Sequence, residues 1–274
     1  MKPKLVFFND AQLLESPCFD SKNQLLYFVS IHEKLIHCIN IKTMEIESFL
    51  TESPVSYVQI LDYKKLIYAE KNGIFHLDLQ NRVKKFITQL EKDVNYRYND
   101  GKLDAKGRLL IGTMGYPDII DNGGKVYSWF ENKSQVIIEN TTISNGICFS
   151  KDNKKLFFID TPTRKVKEFS YNIQNGEVKY LRDLIEFNGI GIPDGMCIDK
   201  NENLWIAEWS GGCVSQFDSL NGRKIRSINL PCINVTSCCL DNEENLYVTT
   251  AKNETIYENL GGGLFYINLK ETKL

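Results

Sequence analysis

The amino-acid sequence predicts an all-β fold, a six-bladed β-propeller with four antiparallel strands per blade. Three observations lead there. A short segment recurs six times, a strand-type apolar run follows each copy, and no amphipathic helical pattern of 12 residues separates them. Repeats of roughly 40–50 residues built from short strands are the mark of propeller blades. A parallel βαβ sheet would instead alternate strands with helical patterns.

The recurring segments are ESPCFD (15–20), YVQILD (57–62), NDGKLD (99–104), NGICFS (145–150), DGMCID (194–199) and TSCCLD (236–241). They close at steps of 42, 42, 46, 49 and 42 residues, each on Asp except the fourth, which closes on Ser150. Two to four polar residues then lead into LLYFV (25–29), LIYA (66–69), LLIG (109–112), LFFI (156–159), LWIA (204–207) and LYVT (246–249). Their β-branched and aromatic composition is that of strands. Each unit thus opens as strand, polar turn, strand, and weaker signals such as KVKEFSYN (165–172) and GCVSQFD (212–218) supply the outer strands. The edges of the first and last blades need covering. KLVFFN (4–9) and GLFYINL (263–269) are both strand-like, so the N- and C-terminal strands are predicted to pair within one blade. An open array of sandwiches would not explain six nearly equal repeats. Residues 1–274 are expected to form a single propeller domain.

Composition narrows the function classes. The 274 residues are 42% hydrophobic and 25% charged, an ordinary globular balance that argues against disorder. The formal net charge of -2 gives no electrostatic reason to expect a nucleic-acid partner. No run approaches the roughly 20 apolar residues of a membrane span, so no membrane partner is expected. The apolar stretch Leu5–Phe8 is too short for the roughly 7–15-residue core of an export signal, which predicts a cytoplasmic protein. The sequons at Asn132, Asn140, Asn234 and Asn253 are then chance matches in an asparagine-rich chain. His32, His37 and His76 all fall in the first two repeats, so neither a Ser-His-Asp site nor HExxH is supported. DKNEN (199–203) begins like a calcium loop, but Leu204 and Ser210 stand where Gly and Glu are needed, so it is expected to be a blade turn.

The first strand of each blade lines a propeller's channel, so residues at one repeat phase converge on one level. The first aligned position holds Glu15, Tyr57, Asn99, Asn145, Asp194 and Thr236, five of them polar or acidic. Two carboxylates among amide oxygens suit a hard cation such as calcium, magnesium or manganese; the same residues also suit a ring that only bonds channel water. Arg97 lies two residues before Asn99, hence on the same strand face. An arginine there fits either a polyhydroxylated or anionic ligand or a structural ion pair.

YRYNDGKLDAKGRLLIGTM (96–114), ISNGICFSKDNKKLFFID (143–160), IPDGMCIDKNENLWIAEWSGG (192–212) and TSCCLDNEENLYVTTA (236–251), together with ESPCFD, resemble the SMP-30/gluconolactonase family. The combination of RxNDGK, SNG and PDG, in order over nearly the whole chain, carries the resemblance. It implies a six-bladed propeller and a divalent-metal-dependent lactonase acting on sugar lactones. Glu15, Asn145 and Asp194 match the family's metal ligands, and Arg97 and Asn99 match residues that contact sugar hydroxyls. After GTM, where several relatives carry substrate-binding glutamates, this chain has Gly115, Tyr116, Pro117 and Asp118. Asp118 is the residue expected to serve in their stead, and EWSGG (208–212) also departs from relatives at the pocket rim.

The implied chemistry is hydrolysis of an aldonolactone such as gluconolactone. One divalent cation (Ca, Mg, Mn or Zn) would polarise the carbonyl, Asp194 would relay the proton of the attacking water, and Arg97, Asn99 and Asp118 would orient the sugar. Two other functions stay open, a non-catalytic calcium-binding regulatory propeller and a hydrolase of other esters or organophosphates. Cys18, Cys148, Cys197 and Cys239 share the fourth position of the repeat segment and are expected to pack between blades, pointing away from the channel. Reduced thiols are expected throughout, although the neighbours Cys238 and Cys239 admit a strained vicinal disulfide.

Overall fold

The protein is described from a computed structural model that covers residues 1–253, 255 and 260–270. Six four-stranded antiparallel sheets are arranged as blades. Their inner strands are Leu14–Asp20, Val55–Asp62, Tyr96–Leu103, Ser144–Phe149, Ile192–Ile198 and Asn234–Leu240. Each inner strand touches the next, and the sixth touches the first, which closes the ring. Blade six runs inward to outward as Asn234–Leu240, Leu246–Ala251, Gly263–Ile267 and Lys4–Phe8. The N-terminal strand thus covers the edge left by the last repeat, with Lys4 opposite Tyr266 and Phe8 opposite Gly263. The weaker strand signals fall at Lys165–Asn172 and Cys213–Asp218. Thr161–Thr163 forms a single turn of 3₁₀ helix. Among the described residues, no helix is long and apolar enough to cross a membrane.

The apolar runs form six clusters, one at each blade interface. That between blades five and six holds Trp205, Val214, Val235 and Val248, all inaccessible to solvent; that between six and one joins Leu264 and Tyr247 to Leu14 and Phe28. The recurring aspartates explain the tight turns. Asp20 accepts the N–H groups of Lys22 and Asn23, Asp104 those of Lys106 and Arg108, and Asp241 those of Glu243 and Asn245. Such aspartate-capped turns supply hydrogen bonds that the backbone of a tight reversal lacks. Asp199 does the same for Asn201 and Asn203 and accepts the Trp205 indole N–H at 3.2 Å, so DKNEN is a blade turn.

One feature was not anticipated from period-two alternation. Every inner strand breaks register at the same level: after Glu15, Val55, Tyr98, Asn145, Pro193 and Val235. A bulge re-aims the side chains around it. It also alters the phase downstream, so Cys18, Cys148, Cys197 and Cys239 border a cavity at the far end of the channel as well as entering the interface clusters. Lys102 and Gln59 line the same cavity. Blade two carries a second irregularity between Ile60 and Asp62. That slip corrects the alignment there: Ser56, rather than Tyr57, occupies the level of Glu15, while Tyr57 is buried in the cluster between blades two and three.

Candidate functional site

The bulges place Glu15, Ser56, Asn99, Asn145, Asp194 and Thr236 at one level, and a chain of hydrogen bonds runs around them. Ser56 Oγ donates to Tyr98 O at 2.8 Å, Asn99 Nδ2 to Ser144 O at 3.0 Å, and Thr236 Oγ1 to Leu14 O at 2.6 Å. Asn145 Nδ2 donates to Thr161 Oγ1, which donates to Pro193 O, each at 2.8 Å. Each bond ties one blade to the carbonyl just before the next blade's ring residue. Glu15 and Asp194 are carboxylic and, when ionised, have no proton to give. The two acids therefore interrupt the ring of donors.

Glycine lets the strands approach closely at the motifs. A side chain on Gly146 of SNG would meet Asp194 O at 2.8 Å, and one on Gly195 of PDG would meet Ser237 Oγ at 2.2 Å. The sequence-predicted Arg97 and Asn99 also converge here. Arg97 donates to Tyr98 O at 2.9 Å and to Asn99 Oδ1 at 2.6 Å, and Asn99 Nδ2 donates onward to Asn145 Oδ1 at 2.8 Å. Arg97 is buried, with its guanidinium 6.0 Å from the Tyr116 ring centre. Asp118 is exposed in the loop beyond Gly115, so Tyr116, rather than Asp118, stands beside Arg97.

Three acids crowd this space. Burial, and then the Asp100 carboxylate, push Glu15 up to about 8, against the pull of the Ser16 N–H at 3.2 Å and of Arg97. Burial, then Glu15, then Asp100 raise Asp194 well above the usual carboxylate range. Burial raises Asp100 to about 6, with Gly101 N–H and Lys102 opposing. Burial lowers Arg97 to about 10, opposed by Glu15, Tyr116 and Asp194. Asp194 Oδ1 is buried and makes no hydrogen bond. Leaving a carboxylate oxygen so placed is costly, and a cation would satisfy it. Oxygen donors from two acids and an amide fit a hard divalent ion. Among the described residues there is no cluster of three or more His, Cys, Asp or Glu arranged to hold a metal.

Asp100, Thr161 and Tyr116 were missed from sequence. Asp100 adjoins Asn99, and strict alternation would turn it away from the channel; the two-residue bulge brings it in. Thr161 lies outside the inner strands and had no repeat signal. Among the described residues, which include all eight cysteines, there is no disulfide, and Cys238 Sγ faces Cys197 Sγ at 3.6 Å across blades five and six instead of pairing with Cys239.

Fold and site define a six-bladed propeller with a buried acid pair, a guanidinium and amides at the channel mouth. The chain belongs to the SMP-30/gluconolactonase/LRE-like family, whose model matches residues 13–252. It is 32% identical to regucalcin of Xenopus laevis over 86% of this chain and 82% of that protein. A solved luciferin-regenerating enzyme superposes with a TM-score of 0.89 at 26% identity, covering 96% of this chain and 94% of the other. Regucalcin of Agrobacterium tumefaciens, described as a calcium-binding protein, superposes at 0.90 with 24% identity, covering 96% and 92%.

Proposed function

We propose that the protein is a divalent-metal-dependent lactonase that opens aldonolactones such as gluconolactone. The observation that carries this is the Glu15–Asp194 pair, a half-buried and a buried acid that both interact with the Arg97 guanidinium, with an orphaned carboxylate oxygen on Asp194. Family membership and the calcium-binding relative support it. Glu15, Asn145 and Asp194 would hold the cation. Counting Glu15, Asp194 and Asp100 against Arg97 and Lys102, the ionised pocket carries one net negative charge. When bound, the cation supplies Lewis-acid polarisation of the lactone carbonyl and leaves the pocket positive, which favours a developing oxyanion.

The chain's own residues do the rest. Asp194 would ligate through Oδ1, and its second carboxylate oxygen receives the proton of the attacking water. Arg97 and Asn99, already coupled at 2.6 Å, donate to sugar hydroxyls and fix the lactone ring. Asp118 is close enough in sequence to the Tyr116 corner to meet a bound sugar from the rim. Cysteines held outside any disulfide suit a cytoplasmic setting. The test is turnover of an aldonolactone by Asp194→Ala and Arg97→Ala: turnover vanishes in the first, and KM rises in the second. Near wild-type hydrolysis by Asp194→Ala sinks the mechanism. Calcium binding without turnover of any lactone would select a regulatory calcium-binding propeller instead.

A further inference from the structure

The motif EWSGG is not used by the reaction above, and the structure gives it a place. Gly211 N–H donates to Glu208 O at 3.0 Å, and Ser210 and Gly212 adopt left-handed backbone at φ 61° and 62°. This tight reversal holds Trp209 at the end of its strand, opposite Ile192. Ile192 is two residues before Asp194, so Trp209 sits one layer outward from the ring, at the same channel mouth. Leu13, two residues before Glu15, bridges to Ala251, and Asn234, two before Thr236, also pairs with Ala251. Arg97, two before Asn99, occupies the same layer on blade three, across the channel from blade six.

Between blades five, six and one this layer opens into a pocket of about 480 Å³, lined by Leu13, His32, Trp209, Asn234 and Lys252 among others. That volume is in the range of small-molecule sites, about 300–1,000 Å³. Two observations mark it as built to receive a ligand. Asn234 is only 4% exposed, and while its Nδ2 donates to Lys252 O at 3.0 Å, its Oδ1 is buried without a hydrogen bond. Trp209 is half-buried and belongs to none of the six apolar clusters, whereas Trp205 of the same strand is fully buried in one. An indole and an unsatisfied amide on one pocket of mixed polar and apolar lining match a sugar ring: the ring's C–H face covers the indole, and a hydroxyl donates to Asn234 Oδ1 once that oxygen, sealed in the free pocket, turns outward. An acyl chain would leave Asn234 Oδ1 unpaired.

We propose that this pocket is a second sugar subsite, holding the non-reacting hexose of a disaccharide lactone whose lactone ring sits at the acid pair. The inference rests on the lactonase reading and extends it to substrate class. The test compares gluconolactone with cellobionolactone and maltobionolactone. Trp209→Ala is expected to lower the ratio of disaccharide to monosaccharide kcat/KM at least tenfold, Trp209→Phe to restore most of it, and Asn234→Ala to lower it severalfold. Independently of turnover, cellobionate titrated into the chelated protein quenches tryptophan fluorescence in the wild type but not in Trp209→Phe. An unchanged ratio in Trp209→Ala, absence of a quench, or a preference for acyl lactones over disaccharide lactones overturns the subsite. Failure of the lactonase reading appears differently, as no hydrolysis of gluconolactone itself.

Discussion

Glu15 offers a prediction that depends on electrostatics alone. In the metal-free protein its carboxyl is held at about 8, against an ordinary 4.5. An acid whose native value is raised keeps its proton after the unfolded chain has lost it, so stability falls as pH climbs from 4.5 toward 8. His37 acts in the opposite direction at the acid end. Buried between Phe7 and Phe28, it is lowered by burial to about 4, so stability rises with pH until the unfolded imidazole is neutral near 6.5. The clean window for Glu15 is therefore pH 6.5 to 8. At about 1.4 kcal/mol per decade, 1.5 decades set a ceiling of about 2 kcal/mol. Glu15 keeps some contact with channel water, which screens it, so about 1–2 kcal/mol is expected. For a chain of this size that corresponds to a melting shift of about 2–4 °C. The assay is thermal melting in chelator at pH 6.5 and 8, wild type beside Glu15→Gln, so that His37 and the groups remote from Glu15 cancel in the difference, while the repulsion between Glu15 and Asp194 stays in it. The wild type loses those degrees relative to the variant as pH rises, and saturating divalent cation removes the loss. A difference that does not change with pH, or one that grows in favour of the wild type, refutes the claim that the acid pair is destabilised by burial and mutual repulsion.

Other expectations follow from single contacts. Thr236→Val, nearly isosteric, leaves Leu14 O without its 2.6 Å donor and is expected to cost about 1–3 kcal/mol in denaturant unfolding. Trp205→Ala empties a fully buried site in the cluster between blades five and six and removes the bond to Asp199, with an expected loss of about 3–5 kcal/mol by the same measurement. Burial pushes Cys18 up to about 12 and Cys38 to about 11, so iodoacetamide at pH 8 should label native protein far more slowly than unfolded protein, as followed by mass spectrometry.

Much of this architecture was legible because it repeats. The turn aspartates, the Leu-rich second strands and the terminal strands Lys4–Phe8 and Gly263–Ile267 each announce themselves by spacing or composition. The residues named from sequence, Glu15, Arg97, Asn99, Asn145 and Asp194, stand together at one mouth of the channel. What alternation cannot convey is a bulge, which inserts residues without a composition of its own. That is why Ser56 replaces Tyr57 in the ring, why Asp100 enters the site, and why the repeated cysteines also reach the far cavity. Thr161 acts through a bond between blades four and five, a tertiary relation with no local signature.

The most direct test of the central claim is the pH-stat rate of gluconolactone opening by chelated protein, followed by addition of calcium, magnesium, manganese or zinc. Hydrolysis absent in chelator and restored by a divalent ion in the wild type, but not in Asp194→Ala, is the predicted result. Hydrolysis that persists unchanged in chelator, or that no ion restores, contradicts the assignment of the Glu15–Asp194 pair to a metal-dependent lactonase centre.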